Sequence, residues 1–247
     1  MKILGIIPAR FNSTRLPGKP LAKIGTKPMI QHVYEHAIQS KKLEQVVIAT
    51  DDERVFDAAV GFGGQVMMTS IDHQNGTERC AEVITKFKDY RNYDYVVNIQ
   101  GDEPFLDPLQ IDELCNLLDG QVALATLIKK IVDPEILDKK SVMKVVINNK
   151  NEAIYFSRSP LPYLRDVEKY KWLENHTFFK HICVYAYQFN ALKTISKLPI
   201  SPLEKAESLE QLRWIENGFT IKVAETTIES MGVDTPEDLE NANLLFK

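Results

Sequence analysis

Four short apolar runs, separated by three helical patterns, restrict this chain more than any other feature. "KILGIIP" reads as a strand, and "PMIQHVYEHAIQSK" places Met29, Ile30, Val33, Tyr34, Ala37 and Ile38 on one face at a 3.6-residue period. "QVVIAT" is a buried strand that stops at Asp51 and Asp52, and "DERVFDAAVGFG" a helix closed by glycine. "QVMMT", "GTERCAEVITKF" and "YDYVVNIQGDEP" repeat the alternation as strand, helix and strand. A β-α-β-α-β-α-β rhythm calls for a mostly parallel sheet covered by helices, so the fold class is α/β. Ligands of such sheets bind beyond the C-terminal ends of the strands.

The middle of the chain is different. "VALATLIKKI", "VMKVVINN", "EAIYFSR" and "FFKHICVYAY" are strand-like with little helix between them, which predicts an antiparallel extension or subdomain at about residues 122–187 of a single domain spanning 1–247. Helices return in "NALKTISKL" and "EKAESLEQLRWIENG". "TIKVAE" is a last strand, and Asp234 or Thr235 caps a final helix with Pro236 at its first position.

A length of 247 residues suits one large domain or a domain with an insertion. A net charge of −4 gives no reason to expect a nucleic-acid or membrane footprint. Cys80, Cys115 and Cys183 are too scattered for a metal site or a disulfide framework, which fits a reducing cytoplasm. Ile3 to Ile7 is too short for a signal-peptide core and no run is long enough to span a membrane, so the glycosylation-like tripeptides at Asn12, Asn75 and Asn175 read as coincidence.

Against that acidic background, "PARFNSTRLPGKPL" at residues 8–21 stands out: Arg10, Arg15 and Lys19 crowd the loop after the first strand. An anion is the expected partner, and phosphate is the usual one in a parallel α/β sheet. Gly18-Lys19-Pro20 breaks the Walker pattern, and a single glycine cannot form the dinucleotide fingerprint. The loop must grip with side chains as well as backbone: forked guanidinium groups and a compact ammonium suit a polyphosphate. "NIQGDEPF" sets Asp102 and Glu103 at the end of another strand, where a carboxylate can hold magnesium together with phosphate oxygens and water. A competing motif, H-x-x-E-H at residues 32–36, is that of one metalloprotease group, but His32 and His36 fall off the apolar face and read as a solvated helix surface.

Together "IIPARFNSTRLPGKPL", "VVIATDDERV", "HQNGTERCAEV", "VVNIQGDEPF", "YFSRSPLPY", "SPLEKAESLEQLRW" and "GVDTPEDLE" resemble the 3-deoxy-manno-octulosonate cytidylyltransferases over nearly the whole chain. The opening loop marks the wider sugar nucleotidyltransferases; "HQNGTER", "YFSRSPLP" and "LEQLR" narrow the resemblance. The departures, Phe11, Asn75 and Ala186, remove no charged group. The resemblance implies a Rossmann-like nucleotidyltransferase sheet and transfer of CMP from CTP to the anomeric hydroxyl of 3-deoxy-D-manno-octulosonate (Kdo), with pyrophosphate released, for lipopolysaccharide synthesis. It implies that Arg10, Arg15 and Lys19 hold the triphosphate, that Asp102 and Asp234 bind Mg2+, and that Thr77, Arg79 and Gln100 lie near cytosine or ribose. It places the sugar at Arg158, His181, Tyr185, Glu210 and Gln211, and implies a cytoplasmic homodimer. The alternatives are a cytidylyltransferase for another acidic sugar such as a sialic acid, and a regulatory nucleotide-binding module without turnover.

Overall fold

The computed structural model describes residues 1–86 and 93–245. Strand β1 (Ile3–Pro8) leads through the basic loop into a small hairpin, β2 (Lys23–Ile24) and β3 (Lys27–Pro28), and on to α1 (Met29–Ala37). Then follow β4 (Gln45–Thr50), α2 (Glu53–Gly61), β5 (Val66–Met68), α3 (Gly76–Lys86) and β6 (Tyr95–Ile99). The next elements are α4 (Pro108–Cys115), β7 (Leu124–Lys130), α5 (Pro134–Asp138), β8 (Lys144–Ile147), β9 (Ala153–Ser157), α6 (Trp172–Asn175) and β10 (Phe179–Gln188). The chain closes with α7 (Phe189–Ile195), α8 (Pro202–Glu207), α9 (Glu210–Glu216), β11 (Ile221–Glu225) and α10 (Pro236–Leu244). Phe87 of the expected third helix and Phe246 of the last lie outside the described residues.

The central sheet runs β11-β7-β10-β6-β1-β4-β5. β6, β1, β4 and β5 are parallel neighbours, as the alternation requires. β10 enters antiparallel between β6 and β7, and its start also pairs with β8, which pairs in turn with β9. The strand-rich middle is therefore antiparallel as expected, and it is continuous with the main sheet through β10. Alternate residues of β1 serve opposite faces, with Ile3 and Ile7 packed among α1, α2 and α4 and Leu4 and Ile6 among α3, α7 and α9. Burial on both faces is what makes these strands continuous apolar runs rather than alternating ones.

Two local readings change. The run expected as one helix from Glu204 is broken at Ser208, whose φ of 52° is left-handed, so α8 and α9 are separate. Their independent starts explain the break: Ser201 and Glu204 form a capping box for α8, and α9 begins again after Leu209. His32 is buried rather than solvated, because α1 lies against the β2–β3 hairpin and a ring nitrogen meets the Ile24 carbonyl at 2.9 Å. His36 is half-buried, and its Nδ1 has no partner among the described residues. The final helix starts as its sequence indicates, with Thr235 as N-cap, Asp238 completing the capping box and Pro236 at the first position.

Candidate active site

Beyond the C-terminal ends of β1 and β6, three segments enclose a cavity of about 340 Å³: the basic loop, residues 73–79 and the turn at 100–102. The loop leaves β1 through Arg10, which is exposed at the cavity rim, and turns at Gly18, whose φ of +67° favours glycine. That turn starts the short 3₁₀ segment Lys19–Leu21 and aims Lys19 inward. Phe11 braces the loop from outside, stacked beneath the Arg54 guanidinium at 3.4 Å. On the other side, the "GDEP" turn passes close to β1: a Cβ on Gly101 would lie 2.7 Å from the Pro8 carbonyl oxygen, so only glycine fits.

Lys19 is the junction of the site. Its Nζ donates to Asp102 Oδ2 at 2.5 Å and to Asp234 Oδ1 at 2.9 Å, and Arg15 Nη2 donates to the same Asp234 oxygen at 3.0 Å. Burial works against the Lys19 charge, but the Asp102 and then the Asp234 carboxylates outweigh it and the ammonium pKa lies above its ordinary value. Asp234 arrives from the far end of the chain. It stands immediately before the α10 cap, where Val233 and Ala242 pack with Ile24 and Met29, and Val233 N donates to the Asp102 carbonyl at 2.8 Å. Packing of the last helix on the hairpin thus brings a carboxylate 215 residues distant in sequence to Lys19.

Asp102 and Asp234 converge on one cation, the Lys19 ammonium, and so are near enough to share another. Two carboxylates beside a polyphosphate are the donor set magnesium prefers, since the ion keeps water and takes phosphate oxygens for its other positions. The residues present therefore fit Mg2+. Glu103, the other acid of the turn, points inward. Its Oε2 has no partner among the described residues, and burial, reinforced by Asp102 and Asp234, pushes its carboxyl up to about 8.

The three residues expected near the nucleotide separate. Gln100 and Arg79 line the cavity. Gln100 Nε2 donates to Asn98 Oδ1 at 3.2 Å, while the buried Arg79 is held by Asp51 at 2.8 Å and by Thr69 and the Ser70 carbonyl. Thr77 is buried below, where its hydroxyl donates to Glu210 Oε2 at 2.9 Å and lies 3.4 Å from the Tyr187 hydroxyl.

Thr77 thereby joins the group expected to meet the sugar. Glu210 also accepts from Arg213 at 3.2 Å, and burial pushes its carboxyl up to about 7 despite Thr77 and Arg213. His181 and Tyr185 lie together on β10 with ring centres 5.0 Å apart, and Tyr185 packs edge-on against Trp214 of α9. His181 meets the Thr126 hydroxyl at 2.8 Å, and burial pushes its imidazole down to about 3. The Tyr185 hydroxyl is buried without a partner among the described residues, and burial raises its pKa. Gln211 is buried on α9. Arg158 stands apart: Nε, Nη1 and Nη2 donate to the carbonyls of Glu207, Lys140 and Ser208 at 2.7, 3.1 and 3.2 Å, which ties the end of β9 to the α8–α9 break. Residues that sequence reasoning left unassigned include Tyr187 and Asn98, joined at 3.2 Å beneath the cavity, and Asp51, the partner of Arg79. Acids at the end of an apolar strand were the available signal for Asp51; nothing in the sequence marks the Tyr187–Asn98 pair.

A mostly parallel α/β sheet with a cation-lined cavity beyond the C-terminal ends of β1 and β6 suits a phosphate-bearing ligand, and the comparisons with known proteins give the class, a nucleotidyltransferase. The cytidylyltransferase family model matches residues 4–227. A 3-deoxy-manno-octulosonate cytidylyltransferase of Phocaeicola vulgatus is 50% identical, with 100% of this chain and 98% of the relative covered. One of Cytophaga hutchinsonii is 51% identical, covering 97% and 95%. A relative from Shewanella sediminis, named as an 8-amino-3,8-dideoxy-manno-octulosonate cytidylyltransferase, is 45% identical over 97% of this chain and 96% of its own length. The solved structure of a CMP:2-keto-3-deoxy-manno-octonic acid synthetase complexed with CTP is 42% identical and superposes with a TM-score of 0.91 over 100% of this chain and 98% of that one. The chain belongs to the cytidylyltransferase family and, within it, to the 3-deoxy-manno-octulosonate cytidylyltransferases.

Proposed function

We infer that this protein transfers CMP from CTP to the anomeric hydroxyl of Kdo. The sugar oxygen forms a bond to the α-phosphorus, the bond from that phosphorus to the bridging oxygen breaks, the hydroxyl proton is released, and pyrophosphate leaves. The observation that carries this reading is Lys19, held by Asp102 and Asp234 at the rim of a cavity whose walls also carry Arg10 and Arg15. Phosphoryl-type transfer needs mostly positioning and neutralisation of charge. On CTP binding, Arg10 and Arg15 hold the triphosphate, and Lys19 exchanges a carboxylate partner for oxygens of the leaving pyrophosphate. Mg2+, held by Asp102 and Asp234, would neutralise the phosphate oxygens there. Gln100 and Arg79 bound the nucleotide end of the cavity.

The sugar side is assigned to His181, Tyr185, Glu210 and Gln211. A neutral imidazole and a carboxyl that protonates near neutrality suit hydroxyl recognition without a net charge. Arg158 acts from behind, through the α8–α9 break. By family resemblance the protein works as a cytoplasmic homodimer that supplies lipopolysaccharide synthesis. No helix among the described residues is long and apolar enough to cross a membrane.

A pyrophosphate-release assay with the four nucleoside triphosphates, each with Kdo, its 8-amino analogue or N-acetylneuraminate, tests the assignment. CTP with Kdo should give the highest kcat/KM. Predominant CMP-N-acetylneuraminate would establish the sialic-acid alternative, and CTP binding without pyrophosphate release would indicate a regulatory module.

A further inference from the structure

"HQNGTER" contains a histidine that neither phosphate binding nor sugar recognition uses. His73 lies in the segment that precedes α3, and residues 73–76 of that segment line the nucleotide cavity. Such a wall has few constraints of its own, because it forms no strand or helix before Gly76.

Side chains of α3 hold it. Glu78 Oε2 accepts from the Gln74 backbone N–H at 2.9 Å, and Glu78 Oε1 from Asn75 Nδ2 at 3.0 Å. One turn further along the helix, Glu82 Oε2 accepts from the Ser70 backbone N–H at 2.8 Å. His73 Nε2 is hydrogen-bonded to that same Glu82 oxygen. His73 Nδ1 is 3.8 Å from Glu78 Oε2, too far for a hydrogen bond, so the Glu82 contact is the ring's main anchor. Burial opposes the charge on Glu82, but Lys86, the Ser70 N–H and His73 push its carboxyl down to about 2. It is thus an anion with three donors on it, two of them from the segment, and it holds that segment at Ser70 and at His73 while Glu78 holds Gln74 and Asn75.

We propose that His73 is a positioning residue for the nucleotide: its hydrogen bond to Glu82 pins the cavity wall at residues 70–76, and CTP binding depends on that bond. The inference rests on the reading of the cavity as the CTP site. The ring need only donate one hydrogen bond to a carboxylate, and a glutamine amide can do the same.

The test measures the CTP dissociation constant by calorimetry and kcat at saturating CTP and Kdo for the wild-type chain, His73→Ala, His73→Gln and Glu82→Gln. His73→Ala should weaken CTP binding roughly tenfold and lower kcat by less than about threefold, the scale of one hydrogen bond to a charged group. His73→Gln should return to within about threefold of wild type, because the amide can restore the bond to Glu82. Glu82→Gln should weaken CTP binding in the same direction. Wild-type affinity in His73→Ala, a His73→Gln variant as weak as Ala, or a kcat that falls as far as affinity would each overturn the proposal. If His73→Ala does not fold, the affinities of the Gln variants decide it in the same way. A wild-type chain that binds no CTP would instead overturn the functional reading on which the proposal depends.

Discussion

At the cavity rim, Lys19 keeps its proton more firmly than a free lysine because two carboxylates sit against it; below, burial pushes His181 down to about 3 and Glu210 up to about 7. The two regions lie on one sheet and treat charge in opposite ways. The rim is partly open to water and its side chains are paired across long sequence distances, so charge is retained and can be exchanged for the charge of a substrate. The floor is packed with Tyr185, Tyr187 and Trp214, and there the ionised forms are disfavoured. The proposed triphosphate contacts need the first environment. The proposed sugar contacts, made largely with hydroxyl groups, are served by the second, where a polar group left unpaired is costly and discrimination is correspondingly strong.

The largest effects that could break this contrast lie at the rim. Asp102→Asn and Asp234→Asn should each lower kcat by roughly a hundredfold or more while the fold persists. Circular dichroism beside a magnesium titration checks this: normal turnover at limiting magnesium in either variant would remove the metal assignment. Chelation of Mg2+ should abolish turnover by the wild-type chain.

The floor is sharpened by pH. Folded Glu210 holds its proton up to about 7 against an ordinary value of 4.5. Between those values the folded state carries the proton that the unfolded state has lost, so this group makes stability fall as pH rises. Relative to wild type, Glu210→Gln should therefore gain roughly 3 kcal/mol of unfolding free energy as pH rises through that window. His181 has the opposite sign, since its folded value of about 3 lies below the ordinary 6.5. Its contribution is lost as pH falls through that interval, and His181→Gln should flatten the acid limb. Denaturation curves at about pH 4.5, 6 and 8 separate the two, and parallel wild-type and variant profiles would contradict the burial argument.

A smaller effect is expected at Arg158. With its guanidinium on three carbonyls, Arg158→Ala should lower Tm by about 5 °C and weaken sugar use through displacement of α9. Unchanged Tm with a raised sugar KM would instead make Arg158 a direct ligand of the sugar carboxylate.

The rim was the more legible region in the sequence. Arg10, Arg15, Lys19 and Asp102 are charged residues in loops after apolar strands, where opposite charges from different strands can face one pocket. Asp234 could be located by its capping signature, but its meeting with Lys19 depends on α10 packing against a hairpin whose two-residue strands are too short to show a period. The floor was less legible because its residues have ordinary structural readings: a strand histidine, a helix glutamate and aromatic residues in a core. What distinguishes them is depth, which periodicity reports poorly at Thr77 and reported wrongly at His32. The α8–α9 break was hidden because Ser208 is an uncommon residue for a left-handed conformation.

The central claim is that Lys19 serves the transfer step rather than simple retention of the nucleotide. Lys19→Ala tests it directly, with single-turnover pyrophosphate release and the CTP dissociation constant measured on the same preparation. Because charge on the leaving group grows in the transition state, the rate should fall by roughly a hundredfold or more while CTP affinity changes by less than about tenfold. A loss confined to affinity, with the rate at saturating CTP unchanged, would contradict the account.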